Sequence, residues 1–383
     1  MDSKVILFLL SFLLSCNQLL PPPKIEEEKI STSGSSSDKI STTDKFKVGN
    51  CSYPRDKKFF VAIEDLDCTV QEDEQEEPRV PKNIVGLDVD EDDKLYALDK
   101  AQGLFISSDN GRFFKEFSIK AVREYQSLKV HKGVIYVIAD AILYISTDGG
   151  KNFMSIDTNL IGTKIKVFSR KQTISNIVSD HERQMSIMIQ DYIYISSDTK
   201  IEVFKREGKS VKTFFSTFDE KICSKKCTIF DLSIGSNGHW YVATSEGISV
   251  SMNNGETFKL ESMSDTEFGN NILSVFHAPD GNVYYNSSAG VGKFEQGAKS
   301  ANFILSDDQQ PGLKFNKIFI NSSKELYAAS DKGLHLGNLE SRKFEFFDSD
   351  DGLADNNLSL IKVDSKGNVF VGSDNGLSVS IKE

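Results

Sequence analysis

From residue 84 onward, apolar and polar residues alternate in short runs, broken by turns rich in Asp, Asn and Gly. Period-two alternation predicts strands, and no stretch carries apolar residues at the 3.6 spacing of an amphipathic helix. The runs recur as a unit: an alternating strand, a polar turn, a second strand around an aromatic, a glycine turn, and a third strand ending in small polar residues. Three copies show it best: Trp240-Tyr241-Val242-Ala243-Thr244-Ser245-Glu246-Gly247, Leu326-Tyr327-Ala328-Ala329-Ser330-Asp331-Lys332-Gly333 and Val369-Phe370-Val371-Gly372-Ser373-Asp374-Asn375-Gly376. Gly247, Gly290, Gly333 and Gly376 are each 43 residues apart, and such turn glycines are expected to take positive φ.

Seven units can be traced, centred near Tyr96, Tyr136, Ile187, Tyr241, Tyr284, Tyr327 and Phe370. A repeat of roughly 40 to 55 residues made of strands predicts an all-β chain folded as a seven-bladed β-propeller, here over residues 51–383. The last unit holds only three strands. Phe59-Phe60-Val61-Ala62-Ile63 is the candidate for the fourth, so an N-terminal strand would close the ring and remove its free edges.

Ahead of the repeats, Val5 to Leu14 form one apolar run, too short to span a bilayer with about 20 residues. It ends in Leu13-Leu14-Ser15-Cys16, which resembles the lipobox of bacterial lipoproteins. That resemblance implies a signal peptide over residues 1–15, cleavage before Cys16, acylation of Cys16 and a lipid bilayer as partner, hence a cell-envelope address. Asn17, where an Asp would signal inner-membrane retention, points to the outer membrane. Residues 16–50 follow as lipidated cysteine and flexible tether, with Pro21-Pro22-Pro23 and a Ser-rich stretch that cannot bury enough apolar area to offset its ordering entropy. Gln71 to Glu77, with five acidic residues, is expected to be an exposed loop.

Four cysteines remain. An even number in an exported chain predicts the disulfides Cys51–Cys68 and Cys223–Cys227. A metal site at the second pair would lack further cysteine or nearby histidine ligands. The chain carries 45 basic and 56 acidic residues, a net charge of −11. That balance argues against a general nucleic-acid binder, which needs a basic surplus or stripe.

Three units continue into a shared loop. The copies are Ser107-Ser108-Asp109-Asn110-Gly111-Arg112-Phe113-Phe114, Ser146-Thr147-Asp148-Gly149-Gly150-Lys151-Asn152-Phe153 and Ser251-Met252-Asn253-Asn254-Gly255-Glu256-Thr257-Phe258. The pattern resembles the Asp-box of BNR-repeat propellers, a family that includes sialidases and sortilin-type receptors; the third copy has Asn in place of Asp. The resemblance implies structural turns at outer hairpins, with Ser107, Asp109, Gly111 and Phe114 and their counterparts Ser146, Asp148, Gly150, Phe153, Ser251, Asn253, Gly255 and Phe258 remote from any central site. The last two units resemble two-component-regulator propeller repeats, through Asp350-Asp351-Gly352-Leu353-Ala354-Asp355-Asn356.

Sialidase chemistry would need an arginine cluster and an Arg-Ile-Pro-like segment. The chain has eight arginines, and the nearest segment, Tyr53-Pro54-Arg55-Asp56, has the wrong order. No Walker loop, G-x-S-x-G elbow, H-E-x-x-H set or cofactor fingerprint is present. The expectation is a non-catalytic module that binds an envelope protein or glycan and needs no cofactor. Its expected contact loops are Asn159–Ser179, Gly208–Lys226 and Gln296–Gly312. The alternative is a glycoside hydrolase with two carboxylates in the central funnel. Phe214-Phe215-Ser216-Thr217-Phe218 in the second loop is either a hot spot or an ordinary outer strand, the latter favoured.

Overall fold

The computed structural model describes residues 45–48, 51–54, 59–68, 80–156, 164–173, 187–197, 199–207, 210–223, 227–235, 238–261, 271–287, 289–296, 302–306 and 313–380. The chain divides into Met1–Thr42 and Thr43–Glu383. The signal peptide, Cys16, most of the tether and the Gln71–Glu77 run lie outside the described residues. Among the described residues no helix is long and apolar enough to cross a membrane.

The second unit is a β-propeller. Its four-stranded antiparallel sheets, numbered here I to VII, follow one another along the chain, I to VI each built from four sequence neighbours in simple meander order and VII from three. Their first strands are Ile84–Val89, Tyr125–His131, Lys164–Thr173, Ile229–Ile234, Ile272–His277, Phe315–Ile320 and Leu358–Val363. These first strands gather at the centre: I lies next to II, II to III, IV to V, V to VI, VI to VII, and VII returns to I. Sheet III is described mainly through its backbone, since the side chains of its first and last strands lie outside the described residues.

Sheet VII takes its fourth strand from the other end of the chain. Phe60–Ala62 pairs antiparallel with the last strand, Phe60 opposite Ser380 and Ala62 opposite Ser378. Its three residues are all buried: Phe60 packs on the cluster between VI and VII, Val61 on that between VII and I. The segment thus joins the two termini by backbone hydrogen bonds and by core.

Each seam between consecutive sheets has its own hydrophobic cluster. Leu98, Leu128 and Val137 fill the seam of I and II, and Tyr194, Leu232 and Trp240 that of III and IV. Ile84, Leu87, Phe370 and Val379 fill the closing seam of VII and I. The second strands explain this arrangement. Leu95–Asp99, Val134–Ala139, Trp240–Thr244 and Val369–Ser373 are buried along part or all of their length because both faces meet a neighbouring sheet. Such strands read as near-continuous apolar runs, and the aromatic at each centre fills a seam.

Gly247, Gly290 and Gly376 start their third strands, and Gly333 stands just before Leu334–Asn338. Gly247, Gly290, Gly333 and Gly376 have φ of +134°, +145°, +146° and +149°, a conformation that L side chains rarely adopt. A hydroxyl three positions before the glycine completes the turn. Thr244, Ser330 and Ser373 hydroxyls donate to the carbonyls of Gly247, Gly333 and Gly376 at 2.8, 2.7 and 3.1 Å. The small polar residues that end each second strand are therefore turn locks.

Two expectations change. Lys45–Val48, inside the expected tether, is a strand paired with Cys51–Pro54, which in turn pairs with Asp67–Cys68. The alternation Lys45-Phe46-Lys47-Val48 suits an outlying two-faced strand. Each of the three expected contact loops contains a strand: Lys164–Thr173 opens sheet III, Ser210–Phe218 ends it, and Asn302–Ser306 ends sheet V. The phenylalanines at 214, 215 and 218 thus belong to an outer strand, paired through Phe215 with Val203 and Phe218 with Lys200. The first two segments belong to sheet III, whose third strand, Lys200–Glu207, has no turn glycine at its start, so that unit does not show the repeat.

Candidate functional site at the inner strands

The three shared loops are built alike. In sheet I the Ser107 hydroxyl donates to Asp109 Oδ1 at 2.6 Å and accepts the Gly111 amide at 2.9 Å, while Asp109 Oδ1 accepts the Phe113 amide at 3.0 Å. Sheet II repeats this with Ser146, Asp148, Gly150 and Asn152. In sheet IV, Asn253 Oδ1 accepts from the Ser251 hydroxyl and the Thr257 amide at 2.9 Å each, so the oxygen common to Asp and Asn does the work. Gly255, at φ +90°, lies against the Trp240 indole, where a Cβ would come within 2.8 Å of the ring. The aromatics close the motif: Phe114 stacks edge-on to Phe105 and Phe258 to Trp240, while Phe153 packs on the seam of I and II. Hydrogen bonds from the Asn152 amide and side chain and from Ser146 hold the Asp148 carboxyl down at about 2. Such a group is an acceptor and a weak base. All three turns lie between third and fourth strands, away from the inner ring.

Cys223 and Cys227 form a disulfide at the end of sheet III, and both are buried against the seam of III and IV. Cys51 stands directly opposite Cys68 in the small outlying sheet.

Charge concentrates on the first strands. In sheet I, Asp88 is 2% exposed. Its Oδ2 accepts from Lys129 Nζ and from the Val130 amide of sheet II, both at 2.7 Å, and its Oδ1 meets Lys362 Nζ of sheet VII at 2.9 Å. One carboxylate thus ties three successive sheets across the closing seam. Burial alone would raise the Asp88 carboxyl, but the Lys362 and Lys129 ammonium groups and the Val130 amide hold it well below the usual carboxylate range. Burial also lowers the Lys129 ammonium from its ordinary value; Asp88 opposes that shift and Lys362 adds to it.

A second pair repeats the device across the ring. Asp231 of sheet IV, 1% exposed, meets Lys317 Nζ of sheet VI at 2.7 Å and accepts the Val275 amide of sheet V at 3.4 Å. The His277 amide donates to the Ser233 hydroxyl at 3.0 Å. Asp88, Asp231 and Ser233 therefore cap backbone N–H groups on the inner edge of the following sheet, donors a first strand cannot pair within its own sheet. In six of the sheets, all but III, a β-bulge falls at the second residue of the first strand: Val85, Gln126, Phe230, Leu273, Asn316 and Ser359. A bulge bends and re-aims the strand, and it comes just before the positions that carry Asp231 and Lys317.

The sequence reasoning missed these residues. Asp88 and Lys362 are far apart in the chain, and an Asp or Lys in an alternating strand reads as an ordinary solvent-facing position. The only available signal was an acid or lysine at matching places in several first strands.

No family model matches the chain, and no curated protein does. Solved structures do. The chain superposes on the extracellular domain of a putative hybrid two-component system from B. thetaiotaomicron with a TM-score of 0.57 at 15% identity, covering 81% of this chain and 41% of that one. The chain thus spans about two fifths of that extracellular domain's length. Against YCF48 bound to D1 peptide the TM-score is 0.59 at 13% identity, with 80% and 94% covered. Against the WD40 β-propeller domain of Doa1 it is 0.57 at 11%, with 80% and 95% covered. The shared feature is the β-propeller fold. At these identities the likeness carries no activity with it.

Proposed function

We propose that this chain is a membrane-anchored cell-envelope lipoprotein whose propeller, read as one seven-bladed ring, is a non-catalytic binding or scaffold module for an envelope protein or glycan. The anchor rests on Leu13-Leu14-Ser15-Cys16. The three Ser-x-Asp/Asn-x-Gly turns are, in this reading, Asp-boxes of the BNR type, used structurally. The observation that carries the binding reading is the state of the carboxylates. The carboxyls of Asp88, Asp93, Asp99, Asp148, Asp280 and Glu340 are held below their ordinary values by hydrogen bonds or lysines. A glycosidase acid needs the opposite, a carboxyl pushed up toward neutral pH. Fold neighbours that include the extracellular domain of a two-component system and a peptide-bound propeller are compatible with a binding role.

The test has two arms. Metabolic labelling with a fatty acid should mark the wild-type protein and not the Cys16→Ser variant, which should leave the membrane fraction; an unlabelled wild type refutes the anchor. Pull-down from envelope extract with the full chain should return a saturable partner, and the purified protein should hydrolyse neither sialosides nor β-glucans above a boiled control. Turnover, or no partner at all, overturns the binding module.

A further inference from the structure

A cavity of about 200 Å³ lies between sheets V and VI, and none of its lining residues belongs to a first strand. One wall is apolar: Tyr284, Ile304 and Leu339 belong to the hydrophobic seam of these two sheets. Apart from Asn282, the other lining residues are charged, three cations (Lys293, Lys324 and Arg342) against two acids (Asp280 and Glu340).

Both acids are engaged. Asp280 Oδ1 accepts the Asn282 amide at 2.9 Å, and its Oδ2 accepts the Asn282 side-chain amide and the Tyr284 hydroxyl at 2.8 and 2.9 Å. Burial would raise the Asp280 carboxyl; the Asn282 and Tyr284 bonds hold it below its ordinary value, and Lys293 adds to that from beyond ion-pair distance. Glu340 Oε1 meets Lys324 Nζ at 2.6 Å. Lys293 and Arg342 remain. Among the described residues, neither the half-buried Lys293 ammonium nor the exposed Arg342 guanidinium has an acceptor. Three ammonium and five guanidinium N–H donors therefore line a cavity whose own carboxylates are taken, and its balance is one positive charge. The turn that carries Arg342 is fixed from within. Asn338 Oδ1 accepts the Glu340 and Ser341 amides at 2.9 and 3.1 Å, and the Asn338 carbonyl accepts the Arg342 amide at 2.9 Å. Sheet VI thus departs from sheets I, II and IV, whose hairpins at this place are the Ser-x-Asp/Asn-x-Gly turns.

We infer that this cavity binds a small monocarboxylate with an apolar body, its carboxylate held by Arg342 and Lys293 and its body lying against Ile304, Leu339 and Tyr284. The site goes beyond the envelope partner proposed above and does not depend on it. A planar guanidinium matches a carboxylate through two parallel hydrogen bonds, and one negative charge is what the lining lacks. The volume is below the ~300–1,000 Å³ of sites for drug-sized ligands, which suits a single ring or a short chain. An inorganic anion would leave the apolar wall unused.

The experiment uses the full chain in detergent and isothermal titration with benzoate, with benzamide and benzylamine as its neutral and cationic counterparts. Benzoate should bind saturably and about tenfold or more tightly than benzamide, since a charge-assisted hydrogen bond contributes that much; benzylamine should not bind. Arg342→Gln, at an exposed turn position, should weaken benzoate by a similar factor and leave the melting temperature unchanged. Arg342→Lys, which keeps the charge and loses the planar fork, should fall between. Glu340→Gln, which frees Lys324, should tighten benzoate binding, an effect no purely structural role produces. Lys293→Met should weaken it as Arg342→Gln does; if that variant loses its cooperative melt, Arg342→Gln gives the readout. Absent saturation, benzamide bound as tightly as benzoate, or affinity unchanged in Arg342→Gln overturns the inference. So does displacement of benzoate by phosphate at equal concentration. A tenfold preference for a longer peptide ending in phenylalanine over N-acetylphenylalanine also overturns it, because the cavity would then be the dock of a polypeptide end.

Discussion

At the scale of single residues, His335 shows how a seam converts burial into pH dependence. It sits on the third strand of sheet VI, 6% exposed, between the rings of Phe315 and Phe346 at 5.4 and 4.8 Å, and its Nδ1 has no hydrogen-bond partner. Burial lowers its pKa from 6.5 to about 4. The folded state therefore holds it neutral while the unfolded state takes up a proton. Its contribution is present above about pH 6.5 and lost as pH falls toward 4, on the order of 3 kcal/mol over that window. His335→Phe keeps the aromatic contacts and removes the proton. Melting curves between pH 4 and 7 should show the variant more acid-stable than wild type, with the gap closing near pH 7. Parallel curves would mean that the imidazole finds a partner or stays charged.

At the scale of elements, the closing strand carries the clearest consequence. Phe60–Ala62 contributes two of the seam clusters' side chains and the hydrogen bonds that satisfy the edge of Gly376–Ser380. Deleting residues 17–44 leaves all of this in place, whereas deleting 17–64 exposes an unpaired strand and two cores. The first truncation should melt like the parent, and the second should lose its cooperative transition; equal melts would deny the strand its closing role. This strand was legible in the sequence because a three-stranded final unit leaves one place open and Phe59-Phe60-Val61-Ala62-Ile63 is the apolar run between the expected tether and the repeats. The repeat itself was legible through Gly247, Gly290, Gly333 and Gly376, since a backbone at φ near +140° restricts the residue type. The strands at Lys164–Thr173 and Asn302–Ser306 were not legible as such. Sheet III lacks that glycine, and alternation alone does not separate a strand with charged residues from a polar insertion. The inner lysines and aspartates were illegible for a different reason: their partners come from other sheets, so no local spacing announces them.

At the scale of the whole molecule, Asp88 joins what the chain order keeps apart. Sheet VII is last, sheet I first and sheet II second, and one carboxylate contacts a residue in each of its neighbours. Nearby, the Asp93 carboxylate accepts the Ser365 amide at 2.9 Å and its hydroxyl at 2.7 Å, a second polar link between the first and last sheets. The ring is thus closed three times: by backbone pairing at its outer edge, by apolar packing in the seam and by charge at the inner wall. Asp88→Asn leaves two lysines without a counter-charge at a buried point. Breaking a buried ion pair costs about 3–5 kcal/mol, and the part-exposed lysines place this case toward the lower end. The sign with pH follows from the depressed carboxyl. Its contribution is present above its ordinary value of 3.8 and lost as pH falls through the lower folded value. Wild type should therefore lose stability steeply below about pH 4, while Asp88→Asn, weaker at pH 7, should show a flatter acid limb until the two curves converge. If Asp88→Asn melts like wild type at pH 7 and acidifies with the same slope, the ring is held by its seams alone, and the inner charges are free to serve a ligand without holding the ring.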